Sequence, residues 1–205
     1  MTQVLKLLIA TSNQGKIREI QRILSENNNG IQITLFSPAD LGITATAPEN
    51  GKTFLENAAE KSVFYSKLAP ELYTVAEDSG LSVDALNGEP GIYSARYSGP
   101  GATDDKNIDK LLHNLKDQPN RQAKFVTAVS LSLDGRLLKS FLGEVQGEII
   151  DEKRGEHGFG YDPVFHYPPL DKTFAQLTTS EKNSISHRSR ALEKFKHYLP
   201  RLIED

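Results

Sequence analysis

Two adjacent carboxylates, Glu77 and Asp78, follow a short apolar run from Leu72 to Ala76. Side by side, they offer hard oxygen donors for a divalent cation and a base for a water molecule. The order Glu77-Asp-Ser-Gly80 equally suits a polar turn that closes a strand. Thr11-Ser-Asn-Gln-Gly-Lys16 joins an apolar run to a helical pattern, so its backbone N–H groups and the Lys16 ammonium suit a phosphate. It is not a Walker A loop, because Ala10 stands where the first glycine belongs and Ile17 follows the lysine. An ordinary strand-to-helix turn with a solvated lysine fits the same residues. Gly155 to Pro163 sets Phe159 and Tyr161 among glycines beside Asp162, which gives rings for a flat ligand and acceptors for its ring N–H groups. A loop that tucks its aromatics into the core reads the same way. Lys182, His187 and Arg188 gather donors for a carbonyl oxygen, or form a charged helix surface. Glu49, Glu56 and Lys61 add two carboxylates and a cation, each of which by itself fits a solvated face.

The elements that must hold these groups follow from periodicity. Val4 to Thr11 reads as a buried first strand. The helix after it carries Ile17, Ile20, Ile23 and Leu24 on one face, and the turn residues Asn27 to Gly30 end it. Ile31 to Phe36 alternates like a second strand. Ser37 to Gly51, with Pro38 and Pro48, is a long loop of the kind that often carries function. Thr53 to Leu68 predicts a helix whose apolar residues are Phe54, Leu55, Ala58, Ala59 and Phe64. Pro70 stops it, and a third strand follows that Ser79 and Gly80 break. Asp84 to Gly88 and Pro90-Gly91 read as turns. Thr103 caps a helix to about Lys116, with Ile108, Leu111, Leu112 and Leu115 facing inward. Phe125 to Leu133 and Leu137 to Ile150 form a hairpin about Asp134-Gly135. Thr179 or Ser180 caps a last helical region, which Ser184 to His187 interrupts before Arg190 to Tyr198. Helix–strand alternation followed by a long hairpin predicts an α/β protein with a mixed sheet.

Composition narrows the functional classes. The chain has 205 residues, 38% hydrophobic and 25% charged, which fits an ordinary globular domain spanning 1–205. A net charge of −3 argues against bulk electrostatic binding to nucleic acid. With no cysteine there is no thiolate nucleophile, disulfide or Cys-based metal site. The run Val4 to Ala10 is interrupted by Lys6 and is too short to span a membrane, so the cytoplasm is the expected location.

Taken together, Thr11-x-Asn13-x-x-Lys16, Thr53-Phe-x-Glu-Asn-Ala58, Asp78-Ser-Gly-Leu81, Pro90-Gly-Ile-Tyr-Ser-Ala-Arg96, Gly158-Phe-Gly-Tyr-Asp-Pro163 and Ser186-His-Arg188 resemble the inosine triphosphate pyrophosphatase family. These are non-canonical purine nucleoside triphosphate (dITP/XTP) pyrophosphatases. The likeness covers nearly the whole chain. It implies a two-lobed α/β fold around a long mixed sheet with a central substrate cleft, a homodimer, and dependence on Mg²⁺. It also implies cleavage of ITP, dITP or XTP to the monophosphate and pyrophosphate, which cleanses the nucleotide pool. Carried over residue by residue, Thr11, Ser12, Asn13, Gln14, Gly15 and Lys16 would hold the triphosphate, with Lys61 near the phosphates. Asp78 would be metal ligand and catalytic base, Ser79 would touch substrate, and Glu49 is the candidate second metal ligand. Phe159, Gly160, Tyr161, Asp162, Lys182, His187 and Arg188 would form the purine pocket. Bacterial members often carry Asp-Asp-Ser-Gly where this chain has Glu77-Asp78-Ser79-Gly80, and glutamate also occurs there. The rival readings are a Maf-like pyrophosphatase of modified pyrimidine nucleotides, and a nucleotide-binding module without catalysis.

Overall fold

The computed structural model describes residues 4–11, 13–25 and 30–203. β1 (Val4–Ile9) buries Leu5, Leu7, Leu8 and Ile9, and α1 (Gln14–Ser25) lays Ile20, Ile23 and Leu24 on the same core. The turn residues expected to end that helix fall mostly on 26–29, outside the described residues. β2 (Gln32–Phe36) returns parallel to β1, and β3 (Tyr73–Val83) runs parallel on its other edge. This is the crossover arrangement that a strand–helix–strand order favours. α2 (Phe54–Leu68) precedes β3, and α3 (Asp104–Asn114) follows it. β4 (Gln122–Leu133) and β5 (Arg136–Ile149) are joined at Asp134 and Gly135, whose φ values of 45° and 71° are those of the expected two-residue hairpin turn. Two short strands that periodicity did not reveal, β6 (Phe165–Tyr167) and β7 (Lys172–Thr173), complete a seven-stranded mixed sheet of order β2-β1-β3-β4-β5-β6-β7. α4 (Thr179–Ile185) and α5 (His187–Lys196) close the chain.

The chain divides into two compact units. The first comprises Met1–Asp78, Thr127–Gly143 and Arg188–Asp205, and the second comprises Ser79–Val126 and Glu144–His187. The first has a core of Leu7, Ile20, Leu24, Val75, Leu131, Leu192 and Phe195. The second has a core of Leu81, Ile108, Leu111, Phe125, Val145, Phe165 and Phe174. No helix among the described residues is long and apolar enough to cross a membrane.

Two expectations need correction, and one helix buries more polar residues than its pattern suggests. Ser79 and Gly80 do not break the third strand, which continues to Val83. β1 stops pairing with β3 at Val75, but β4 lies along the other edge and keeps the strand extended. Asp78 therefore stands within β3, three residues beyond its last partner on β1, rather than at the tip of β3. In α2, Ala58 is the apolar residue that is fully buried and Leu55 is exposed, while Asn57, Ser62 and Ser66 share the buried face with Ala58. Small polar residues pack there because their hydroxyls find partners, Ser62 with Ser132 at 2.7 Å and Ser66 with the Gly135 N–H at 3.0 Å. Finally, Thr178 caps α4 in place of Thr179 or Ser180, and Glu181 reaches back to the Thr178 N–H to complete a capping box.

Candidate active site

The first unit gathers most of the expected phosphate and metal residues around the end of β1. Asn13 caps α1, its Oδ1 accepting from the Lys16 N–H at 3.1 Å, and Thr11 Oγ1 accepts from the Asn13 N–H at 3.2 Å. A Cβ on Gly15 would come within 3.1 Å of Asn13 Oδ1, so the turn is tight there. Ser12 lies outside the described residues, as does the side chain of Gln14. The Lys16 ammonium sits 2.9 Å from Glu77 Oε1.

Glu77 is the hub of this group. Its buried carboxylate also accepts from Arg188, Nε to Oε2 at 2.8 Å and Nη2 to Oε1 at 3.1 Å. Arg188 Nη1 reaches Glu19 Oε2 at 2.5 Å. Arg188, expected in the purine pocket, is thus a buried bidentate partner of Glu77 in the first unit. Burial by itself would push the Glu77 carboxyl up. Arg188 and Lys16 outweigh it and hold the group well below the usual carboxylate range. Arg188 is likewise disfavoured as a cation by burial, but Glu77 and Glu19 raise it above the ordinary guanidinium value.

Asp78, next along the strand, is tuned the other way. Burial raises its pKa, opposed by a hydrogen bond from Asn57 and by the charges of Lys61 and Lys16, and assisted by Glu49. Asn57 Nδ2 donates to Asp78 Oδ2 at 2.9 Å, while its Oδ1 accepts from the Gly51 N–H at 2.8 Å. The Thr53-Phe-x-Glu-Asn segment thereby fixes the long loop to the acid. Thr53 caps α2, and Glu56 Oε2 accepts from the Lys52 N–H at 2.6 Å. Glu49, at that loop's end, pairs with Lys61 Nζ at 2.5 Å, and the same Nζ lies 3.5 Å from the Glu77 carbonyl oxygen. Among the described residues no group of three or more His, Cys, Asp or Glu is arranged to enclose a metal ion. The charge of Glu49 nonetheless adds to the rise in the Asp78 pKa, and a divalent cation would offset it. Two carboxylates, completed by phosphates and water, match the donor set Mg²⁺ usually takes.

The second unit holds the aromatic and donor set. Asp162 is buried, and its Oδ2 accepts from the Phe159 N–H at 2.9 Å and from Lys182 Nζ at 2.5 Å. Lys182 Nζ lies 4.9 Å from the centroid of the Phe159 ring and 5.7 Å from that of Phe174. Phe159 is 43% exposed, so one aromatic surface is open beside a cation. Tyr161 is buried, its hydroxyl donating to the Ser94 carbonyl at 2.8 Å; burial pushes its pKa up, with the charges of Tyr97 and Asp104 assisting. His187 is buried and stacks on Phe125 at 4.8 Å and 13°. Ser79 follows Asp78 in β3, half-buried at the start of this unit.

Sequence reasoning missed Glu19, Asn57, Phe125 and Phe174 as parts of these sets. Glu19 and Asn57 look like solvated helix residues. Phe125 and Phe174 are indistinguishable from core by composition. Only the matched segment around Asn57 carried a signal.

A model of the Ham1 family matches residues 7–198. A dITP/XTP pyrophosphatase of Desulfotalea psychrophila is 44% identical over 198 residues, covering 97% of this chain and 86% of that protein. One of Bacillus subtilis is 44% identical over 194 residues, covering 94% and 96%. The solved Ham1 protein of Staphylococcus aureus aligns with a TM-score of 0.85 at 44% identity, over 95% of this chain and 98% of that one. A nucleoside-triphosphatase / dITP/XTP pyrophosphatase from Mycobacterium abscessus aligns at 0.76 and 39% identity, over 93% and 97%.

Proposed function

This chain belongs to the Ham1 family, and we propose on that premise that it hydrolyses non-canonical purine nucleoside triphosphates to the monophosphate and pyrophosphate. The observation that carries the reading is Asp78. It is a carboxylate whose pKa burial raises, held by Asn57 and ringed by Lys16, Lys61 and Glu49. A raised pKa makes the carboxylate a stronger proton acceptor, as a base requires.

Asp78 and Glu49 would hold Mg²⁺ together with substrate oxygens. When bound, that ion offsets phosphate charge and acidifies water. The water oxygen forms a bond to the α-phosphorus as the bond to the α–β bridging oxygen breaks. The water proton passes to Asp78, and the bridging oxygen leaves with pyrophosphate. Lys16 and Lys61 neutralise the charge that accumulates on the leaving group, so the chain's main contribution is placement and electrostatics. The turn of Thr11, Ser12, Asn13, Gln14 and Gly15 carries the phosphates at the start of α1, and Ser79 contacts substrate beside the base.

In the second unit, the Phe159 face receives the purine, with Gly160 and Tyr161 shaping the loop and Asp162 accepting from ring N–H groups. Lys182 and His187 donate to the 6-oxo group of hypoxanthine or xanthine. An adenine amino group there would leave buried donors unpaired, at about 1–3 kcal/mol each. Arg188 contributes through the charge it gives to the region and through its hold on Glu77. We take the working form to be a homodimer.

Asp78→Asn is the test, with pyrophosphate release from ITP measured with and without Mg²⁺. The variant is expected to lose at least about a thousandfold in kcat while retaining the fold. Because ionised Asp78 is disfavoured by its burial, the metal-free Asn variant is expected to be no less stable at neutral pH. Near-normal turnover in the variant would move the base elsewhere.

A further inference from the structure

The loop that presents Phe159 is flanked by two residues in the left-handed region, Gly158 at φ 82° and Gly160 at φ 63°. Glycines on both sides leave an exposed ring with much conformational freedom. Something other than backbone preference must fix the ring's position. Two consecutive amides are held by carboxylates. Phe159 N–H donates to Asp162 Oδ2 at 2.9 Å, and Gly160 N–H donates to Asp104 Oδ2 at 2.7 Å. Asp162 lies within the loop itself, whereas Asp104 reaches it from the first turn of α3, fifty-six residues away in the chain.

Asp104 is also one of two acidic residues in the first turn of α3, and its charge acts on Tyr161, but it does not cap the helix. Thr103 already caps α3, its Oγ1 accepting from the Lys106 N–H at 3.3 Å. The adjacent Asp105 faces a different partner, Lys153, at 2.7 Å. Asp104 is exposed and lies outside the six short segments quoted for the resemblance. We propose that Asp104 is a positioning residue for purine recognition, anchoring the Gly160 amide so that the Phe159 ring is set before substrate arrives. The inference rests on the reading of this loop as the base seat. Releasing the tether lowers the fraction of molecules with the loop in place, and apparent affinity falls by that fraction. The chemistry at Asp78 is untouched.

The test compares Asp104→Ala with Asp104→Asn, which keeps an oxygen acceptor, in steady-state hydrolysis of ITP and in amide hydrogen exchange across the loop. Asp104→Ala is expected to raise KM roughly tenfold, as loss of one charge-assisted hydrogen bond allows, with kcat within about twofold. The Gly160 amide should exchange faster in that variant. Asp104→Asn should recover most of both effects. An unchanged KM and unchanged exchange in Asp104→Ala would overturn the inference. So would an Asn variant as impaired as the Ala variant, which would assign the effect to charge at the helix terminus. If the wild type fails to hydrolyse ITP, the substrate reading falls. The exchange measurement still decides the tether, since unaltered Gly160 exchange in Asp104→Ala contradicts it.

Discussion

Glu77 and Asp78 are neighbours with opposite electrostatic fates. Glu77 is stripped of water but given two cations, so it stays ionised. Asp78 receives a hydrogen bond from a neutral amide and the charges of Lys61 and Lys16, and burial prevails over them. Removing Arg188 should expose the first balance. Arg188→Ala leaves Glu77 buried with Lys16 alone and is expected to destabilise the protein by about 3–5 kcal/mol in urea unfolding. A loss under about 1 kcal/mol would mean that the pair is dispensable. The pH dependence follows from the sign of the Glu77 shift. Its folded pKa is depressed, so the stability it confers is complete above the unfolded glutamate value, about 4.3, and is lost as pH falls through the folded value. Glu77→Gln should therefore flatten the acid limb of stability against pH. An acid limb as steep as the wild type's would assign it to other carboxylates.

At the scale of elements, α2 buries small polar side chains beside Ala58. Ser62 and Ser132 share a 2.7 Å hydrogen bond in the first unit, and both are buried. Ser62→Ala should cost about 1–3 kcal/mol because Ser132 is left unsatisfied, and the double variant with Ser132→Ala should recover part of that. Strictly additive losses would show that the two hydroxyls do not interact. This helix also marks where the sequence was legible and where it was not. Its limits followed from Thr53 and Pro70, and α3 followed from Thr103 and the spacing of Ile108, Leu111 and Leu115. The buried face of α2 did not follow, because a serine that satisfies a distant hydroxyl looks the same in sequence as one in water. β3 misled for a related reason. Ser79-Gly80 has turn chemistry, and the neighbouring strand that overrides it is contributed by residues far along the chain. β6 and β7, three and two residues long, are too short for periodicity to register.

For the molecule as a whole, the candidate site was readable as a set of segments but not as a set of pairings. Lys16, Asp78, Asp162 and Lys182 stood out by type and spacing. The partners that define their states, Glu77 for Lys16 and Asn57 for Asp78, come from β3 and α2, and only folding brings them together. One family model nevertheless spans residues of both compact units, and the reaction proposed for the chain is hydrolysis that releases pyrophosphate. Hydrolysis of ITP in heavy-oxygen water with Mg²⁺ tests this most directly, with products resolved by mass spectrometry. The account predicts inosine monophosphate carrying one heavy oxygen and unlabelled pyrophosphate, at a kcat/KM far above that for ATP. Label in the pyrophosphate, products of diphosphate and phosphate, or equal use of ATP would contradict it.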